Sequence, residues 1–293
     1  MRAYRLHEVH VAPARPSNEI WRLLVGVVAI VFGFLILNLG YIEILQGLPD
    51  WAALNRELHH GTSARALWVM LLNFLPLLMM LWVVLTLLHR RSLRRMAGPW
   101  TLVWLDFKRT VRLLVVLYAV VLILPAPADM SPMQNMPFGD WIWLLPVSLP
   151  LILLQTSTEE FLFRGYLQSQ LAARFSSPLV WMVLPSLLFG FLHYDPATYG
   201  PNALPLAAWS AVFGLAAADL TARAGNLGPA LALHFLNNVV AMNFTAMEGH
   251  WDGLALFVLP FGPENVEALR ATMPIELLLI LCGWLTVRIA IRR

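Results

Sequence analysis

Two adjacent glutamates stand at the end of an uncharged apolar run near the middle of the chain. Glu159 and Glu160 occur in the segment STEEFLFRGYL, and no charged residue lies between Asp140 and Glu159. An ionised carboxylate in a bilayer costs about 2.5–3.5 kcal/mol even on insertion scales, so carboxylates at such positions are rare and usually functional. The pair is therefore the first candidate for chemistry in this chain.

Helical spacing gives the two glutamates different surroundings. Glu160 and Arg164 are four residues apart, in the favourable acid-before-base order, and share one face of a helix. We expect these two residues to form a structural ion pair. Glu159 points about 100° away on the same helix. It is therefore predicted to be a carboxylate without that arginine as its partner.

Two histidines and an amide follow in two further apolar segments. FGFLH places Phe189 one helical turn before His193, and HFLNN places His234 one turn before Asn238. Together with Glu159, these residues offer a carboxylate, two imidazoles and a carboxamide, which suit the activation of water and the stabilisation of an oxyanion. Taken singly, such a histidine also occurs at a membrane interface without a catalytic role, and a histidine or asparagine can simply form hydrogen bonds between membrane helices.

Composition indicates a membrane protein. The chain is 59% hydrophobic, its mean hydropathy is +0.68, and 13% of its residues are charged, against roughly 25% in soluble domains. Its single cysteine, Cys282, excludes an intramolecular disulfide and a CxxC-type metal site.

Apolar segments of spanning length predict an all-α, polytopic fold with about eight transmembrane helices in one domain, 1–293. The predicted spans lie near 22–46, 66–88, 110–127, 141–163, 178–194, 203–221, 227–245 and 274–291. The motif-bearing core covers about 140–245. The first three spans and the 246–273 loop carry no motif.

The basic residues predict the orientation of these spans. With both termini in the cytoplasm, 17 of the 20 basic residues lie on the cytoplasmic side, and Arg56, Arg65 and Arg270 are the exceptions. This asymmetry predicts a multi-pass protein of the cell membrane with both termini cytoplasmic. It also explains the positive charge without nucleic acid as a partner.

The motif residues are expected at one depth in the membrane. Glu159 lies 15 residues before Arg174, and His193 lies 15 residues after Pro178, on the two arms of a helical hairpin. His234 lies a couple of turns into the seventh predicted span. We therefore expect an active-site cavity between transmembrane helices 4, 5 and 7, the predicted spans near 141–163, 178–194 and 227–245.

The three motifs resemble the signatures of the CPBP family, the CAAX prenyl protease and bacteriocin-processing membrane proteins also called the ABI family. Its patterns are EExxxR, FxxxH and HxxxN, in that order. The matching residues are Glu159, Glu160 and Arg164 for the first pattern, Phe189 and His193 for the second, and His234 and Asn238 for the third.

The resemblance implies an intramembrane endopeptidase that hydrolyses a peptide bond of a membrane-anchored peptide or protein in the lipid bilayer. The glutamate matching Glu159 would activate water, and the histidine matching His193 would help to position it. His234 and Asn238 would form the oxyanion site. Nothing in the sequence indicates whether the substrate is prenylated.

Two alternatives remain open at the level of sequence. The residues Glu159, His193 and His234 are a possible catalytic zinc set, since two histidines and a carboxylate bind zinc in known enzymes. We favour a glutamate-type mechanism with no cofactor, because an oxyanion site completed by Asn238 needs no metal. A non-enzymatic immunity protein, scaffold or transporter is the alternative from another class.

Overall fold

Helices make up most of the structure, a computed structural model that describes residues 4–125 and 130–292. The α-helices are α1 (His7–Val11), α2 (Ile20–Gln46), α3 (Trp51–His60), α4 (Ala64–Leu72), α5 (Phe74–Leu87), α6 (Leu93–Ala97), α7 (Trp100–Ile123), α8 (Phe138–Glu160), α9 (Ser169–Arg174), α10 (Leu184–Phe191), α11 (Pro196–Tyr199), α12 (Ala203–Ala224), α13 (Gly228–Val239) and α14 (Val266–Ile291). Segments of π-helix occupy Phe161–Gln168, Leu179–Val183 and Val240–Phe244, and 3₁₀ turns occupy Ala12–Ser17 and Gly200–Asn202.

Five helices in the described part of the chain are long and apolar enough to cross a membrane. They are Ile20–Gln46, Ala64–Leu87, Phe138–Arg174, Pro196–Ala224 and Val266–Ile291. The other three predicted spans fall on α7, on the shorter apolar helix Leu179–Phe191 and on α13. The protein is thus a mostly helical membrane protein with five candidate spans, and the count of eight stays a prediction.

Two of these helices begin earlier than the hydropathy pattern predicted. Helix α7 starts at Trp100 and not near residue 110, because its charged first half is helical as well. Helix α14 starts at Val266 and not near residue 274, where the side chain of Asn265 accepts a hydrogen bond from the backbone N–H of Ala268. Residues 126–127, the predicted end of the third span, and the counted arginines Arg2 and Arg293 lie outside the described residues.

A small sheet departs from the all-α prediction. Strand β1 (Met133–Gln134) pairs antiparallel with β3 (Phe257–Leu259), which pairs in parallel with β2 (Thr245–Met247). The sheet joins the segment before α8 to the segment between α13 and α14. These stretches lie between helices, so their backbone groups find partners in each other.

Helix α12 lies at the centre of the bundle. In the most apolar part of Pro196–Ala224, the helical stretch that ends with α12, 61% of the residues are buried, against 17% in the corresponding part of α2. It packs against α10, α13 and α14. Gly190 of α10 lies so close to the Ala207 carbonyl that a Cβ would collide with it, and Gly214 of α12 lies against Ser186. These small residues let the helix backbones approach closely, which brings α10 beside the end of α8.

The segment before the first span folds against the glutamate motif. Helix α1 and the turn Ala12–Ser17 pack on α9, and the Nε2 atom of His10 lies 3.0 Å from the carbonyl oxygen of Arg164. Burial lowers the pKa of His7 to about 3 and that of His10 to about 4. Both rings are therefore neutral at neutral pH, and Nε2–H of His10 donates to that carbonyl.

Candidate active site

The glutamate motif lies at a change of helix type. Helix α8 ends at Glu160, and the chain continues as π-helix over Phe161–Gln168 and then as α9. The whole stretch forms one helix, Phe138–Arg174, of 37 residues, which contains the predicted hairpin arm from Glu159 to Arg174. Single turns of π-helix occur often at functional sites. The wider turn changes the direction of the side chains that follow Glu160.

Glu160 and Arg164 form a fully buried ion pair. Arg164 Nη1 lies 2.9 Å from Glu160 Oε1, and the two side chains are 2% and 1% exposed. Arg164 Nη2 donates to the carbonyl oxygen of Gly214 at 3.2 Å, and the guanidinium carbon lies 4.8 Å from the centre of the Phe189 ring. One arginine therefore connects α8 to both α10 and α12. This arrangement is the one expected of a structural pair.

His234 lies between the two glutamates. Its Nδ1 atom is 2.8 Å from Glu160 Oε1, and its Nε2 atom is 3.3 Å from Glu159 Oε2. Glu160, which faces Arg164, can only accept a hydrogen bond when ionised, so Nδ1 of His234 carries a hydrogen. The other ring nitrogen is thereby directed at Glu159. The sequence placed His234 beside Asn238 by helical spacing, and it did not anticipate this contact with both glutamates.

Gln155 connects Glu159 to the third motif. The Nε2 atom of Gln155 donates to Glu159 Oε2 at 3.0 Å, and its Oε1 atom accepts from Asn238 Nδ2 at 2.8 Å. Glu159 therefore has two partners, Gln155 and His234, in place of the arginine that pairs with Glu160. Sequence reasoning missed Gln155, although it lies four residues before Glu159 and on the same helical face.

His193 lies at the edge of this cluster. It follows the end of α10, its side chain is exposed, and its Nδ1 atom is 2.7 Å from the carbonyl oxygen of Phe189. Since a carbonyl oxygen only accepts, Nδ1 carries the hydrogen in the neutral ring and Nε2 is an acceptor. The Phe189 ring contacts both histidines, with centroid distances of 4.5 Å to His193 and 6.0 Å to His234.

The possible zinc set is brought together in part, because His234 Nε2 lies 3.3 Å from Glu159 Oε2 and both histidine rings contact Phe189. Nδ1 of His234 is directed at Glu160, and Nδ1 of His193 is directed at the carbonyl oxygen of Phe189. Over residues 4–125 and 130–292, no three His, Cys, Asp or Glu side chains are grouped as metal ligands. The absence of a metal from the reaction stays a prediction.

Aromatic and apolar side chains enclose the cluster. Phe213 of α12 contacts the His234 ring at 5.1 Å between centroids, and it had no signal in the sequence beyond its hydrophobicity. A cavity of about 150 Å³ lies beside Glu160, between α7, α8 and α13. Its wall includes Trp100, Trp104 and Phe107. Apolar cavities of about this volume hold groups the size of benzene.

The fold and this geometry define a class of protein, a helical membrane protein with a buried glutamate–histidine site. Residues 141–240 match the family model described as "Type II CAAX prenyl endopeptidase Rce1-like". This match confirms the resemblance of the three motifs to the CAAX protease family, whose described activity is that of an endopeptidase. The motif residues Glu159 to Asn238 all lie within the matched region.

A curated bacterial protein resembles the chain over most of its length. The chain is 23% identical over 273 residues to "Uncharacterized protein YyaK" of Bacillus subtilis (strain 168), which covers 88% of this chain and 89% of the relative. No solved structure matches the chain. The similarity therefore extends to the spans before the motifs, beyond the region that the family model covers.

Proposed function

We propose that this protein is an intramembrane endopeptidase that hydrolyses a peptide bond of a membrane-associated protein or peptide. One observation carries the proposal: His234 of α13 lies 3.3 Å from Glu159 and 2.8 Å from Glu160, both of α8, in a membrane-embedded bundle. Such carboxylate–imidazole contacts can hold and transfer protons. The match to an endopeptidase family model supports the same reaction.

In the proposed mechanism Glu159 is the general base. Its carboxylate takes a proton from a water molecule while the water oxygen attacks the carbonyl carbon of the peptide bond. The proton is then passed to the amide nitrogen, the C–N bond breaks, and the products are a carboxylic acid and an amine. His193 supports the first step, because its Nε2 atom is an acceptor that can orient the water.

His234 and Asn238 are proposed to stabilise the oxyanion. Nε2 of His234 lies beside Glu159 and can donate to the oxyanion when it carries a hydrogen as well as Nδ1. Asn238 lies two hydrogen bonds away from the same carboxylate through Gln155. Asn238 uses one N–H on Gln155, so its second N–H is left for a substrate oxygen. Donors aimed at the developing charge typically contribute about 10²–10³-fold in rate each.

We propose that this reaction needs no metal. The support is the chemistry of the site: a carboxylate beside an imidazole can activate water by proton transfer, and an oxyanion site completed by Asn238 needs no Lewis acid.

The proposed location is the cell membrane, with the substrate anchored in the same bilayer. The charge asymmetry of the loops supports cytoplasmic termini. The apolar cavity beside Glu160 suits an apolar group of such a substrate, since its wall is built from aromatic and aliphatic side chains.

Candidate substrates are first identified by comparing the membrane peptidomes of wild-type and Glu159→Gln cells. The test is then the cleavage of these peptides by purified protein in proteoliposomes. Glu159→Gln removes the base and keeps the shape, so cleavage should be lost while the protein stays folded. The control is Glu248→Gln, the same change at an exposed loop residue, which should cleave normally. Normal cleavage by Glu159→Gln would show that the base is another residue. Identical peptidomes and no cleavage by the wild type would favour the non-enzymatic alternative.

A further inference from the structure

A chain of side-chain hydrogen bonds crosses the bundle and ends at Glu159. Tyr118 of α7 donates to Asn237 Oδ1 at 3.5 Å, Asn237 Nδ2 donates to Asn238 Oδ1 at 3.3 Å, and Asn238 Nδ2 donates to Gln155 Oε1 at 2.8 Å. Gln155 Nε2 donates to Glu159 Oε2 at 3.0 Å. Three helices, α7, α13 and α8, contribute to this chain.

The carboxylate at the end sets the direction of every bond in the chain. An ionised carboxylate only accepts, so Gln155 must present its NH₂ group to Glu159 and its oxygen to Asn238. Asn238 must then turn its own NH₂ group to Gln155 and its oxygen to Asn237. Reversal of any one amide would place two acceptors or two donors face to face. The orientation of the Asn238 amide therefore depends on Glu159 through Gln155.

The same contact determines which oxygen of Glu159 is left for substrate water. Gln155 and His234 both face Oε2. Oε1 accepts no hydrogen bond from any residue of the described chain, and the Glu159 side chain keeps 13% of its area exposed. Gln155 itself is 8% exposed. The buried amide of Gln155 thus holds Oε2 of Glu159, and Oε1 is left to contact a water molecule.

We propose that Gln155 is a positioning residue that fixes the Glu159 carboxylate and the Asn238 amide relative to each other for hydrolysis. This inference rests on the proposed function, because it assigns to Gln155 the alignment of the proposed base with the proposed oxyanion donor. The two groups lie on different helices, α8 and α13, and Gln155 is the side chain that contacts both. A displacement of about 1 Å in such a pair can lower the rate about 10²-fold.

Three variants test this role by steady-state kinetics in proteoliposomes. Gln155→Leu has a similar size and no hydrogen-bonding groups, so kcat should fall about 10²-fold with little change in KM. Thr156→Val is the control, because it removes another buried hydrogen bond of the same helix, to the Ile152 carbonyl, and leaves both hydrogen bonds of Gln155 in place. Its kcat should stay near that of the wild type.

Gln155→Glu separates positioning from a purely structural link. Glutamate still accepts from Asn238, but it faces Glu159 as a second carboxylate and cannot donate unless the two carboxyl groups share a proton. The activity of Gln155→Glu relative to the wild type should therefore rise as the pH falls, whereas that of Gln155→Leu should not. Wild-type activity of Gln155→Glu at all pH values would show that only the link to Asn238 matters, and would overturn the proposal.

A double-mutant cycle and infrared spectroscopy complete the test. Gln155→Leu should cost less in an Asn238→Ala background than in the wild type, since part of its effect acts through Asn238. Independently of turnover, the carboxylate stretch assigned to Glu159 by difference from Glu159→Gln should shift in Gln155→Leu. A shifted band with wild-type kcat, or additive losses in the cycle, would refute positioning while the proposed function stands. Absence of cleavage by the wild type would refute both.

Discussion

The buried pair of Glu160 and Arg164 allows a quantitative prediction about stability. Replacing Arg164 by alanine leaves the Glu160 carboxylate buried with the imidazole of His234 as its remaining hydrogen-bond partner. Removal of one member of a buried ion pair typically lowers the free energy of unfolding by about 3–5 kcal/mol, because the other charge remains without compensation. Arg164 also loses its contact with the Gly214 carbonyl, so we expect Arg164→Ala to fall in the upper part of this range.

The chain offers a matched pair that differs in exposure. Arg15 and Glu8 lie 2.7 Å apart, but their side chains are 52% and 57% exposed. Exposed pairs contribute about 0–1 kcal/mol, because water and salt screen them. Arg15→Ala should therefore change stability by less than about 1 kcal/mol, and the difference between the two variants measures the effect of burial.

The purified protein is unfolded in mixed micelles with increasing SDS, and tryptophan fluorescence follows the transition. This experiment gives the free energies of unfolding of Arg164→Ala and Arg15→Ala. Arg164→Lys keeps the charge and loses the second contact of the guanidinium, so its stability should lie between those of the wild type and Arg164→Ala. This variant keeps the comparison possible if Arg164→Ala does not fold. Equal stability of Arg164→Ala and Arg15→Ala would refute the reasoning, since burial would then have no effect on the strength of the pair.

Three further predictions concern topology, metal and pH. Reporter fusions should place the 89–109 segment in the cytoplasm and the 246–273 loop on the opposite side; the reverse result would contradict the orientation drawn from the basic residues. Strong chelators should leave cleavage unchanged, and elemental analysis should find far less than one zinc per chain; one zinc per wild-type chain that is absent from His193→Ala would show a metal site instead. Burial lowers the pKa of His10 to about 4 from 6.5, so protonation favours detachment of the N-terminal segment. The contact of His10 with the Arg164 carbonyl is complete above pH 6.5 and is lost as the pH falls towards 4. Limited proteolysis should therefore cut the N-terminal segment faster near pH 4 than above pH 6.5, and equal rates at these two pH values would contradict the prediction.

The sequence alone was enough to predict the class of protein and the residues of its motifs. Hydropathy and charge depend on composition along the chain, so they located the apolar helices without any knowledge of packing. The pairing of Glu160 with Arg164 also follows from local geometry, because residues four apart meet on any helix. The family match over residues 141–240 agrees with motifs recognised from three short patterns.

Contacts between helices depended on the tertiary structure. His234 lies 74 residues from Glu160 in the chain, and Asn238 lies 83 residues from Gln155. Whether such residues meet depends on how far each helix is rotated about its axis and how closely the backbones approach. The π-helical turn after Glu160 and the glycines between α10 and α12 set these quantities here, and neither has a signature in local periodicity. For this reason helical spacing predicted that His234 and Asn238 lie side by side. The packing of the helices places His234 between two carboxylates and Asn238 in hydrogen-bond contact with Gln155.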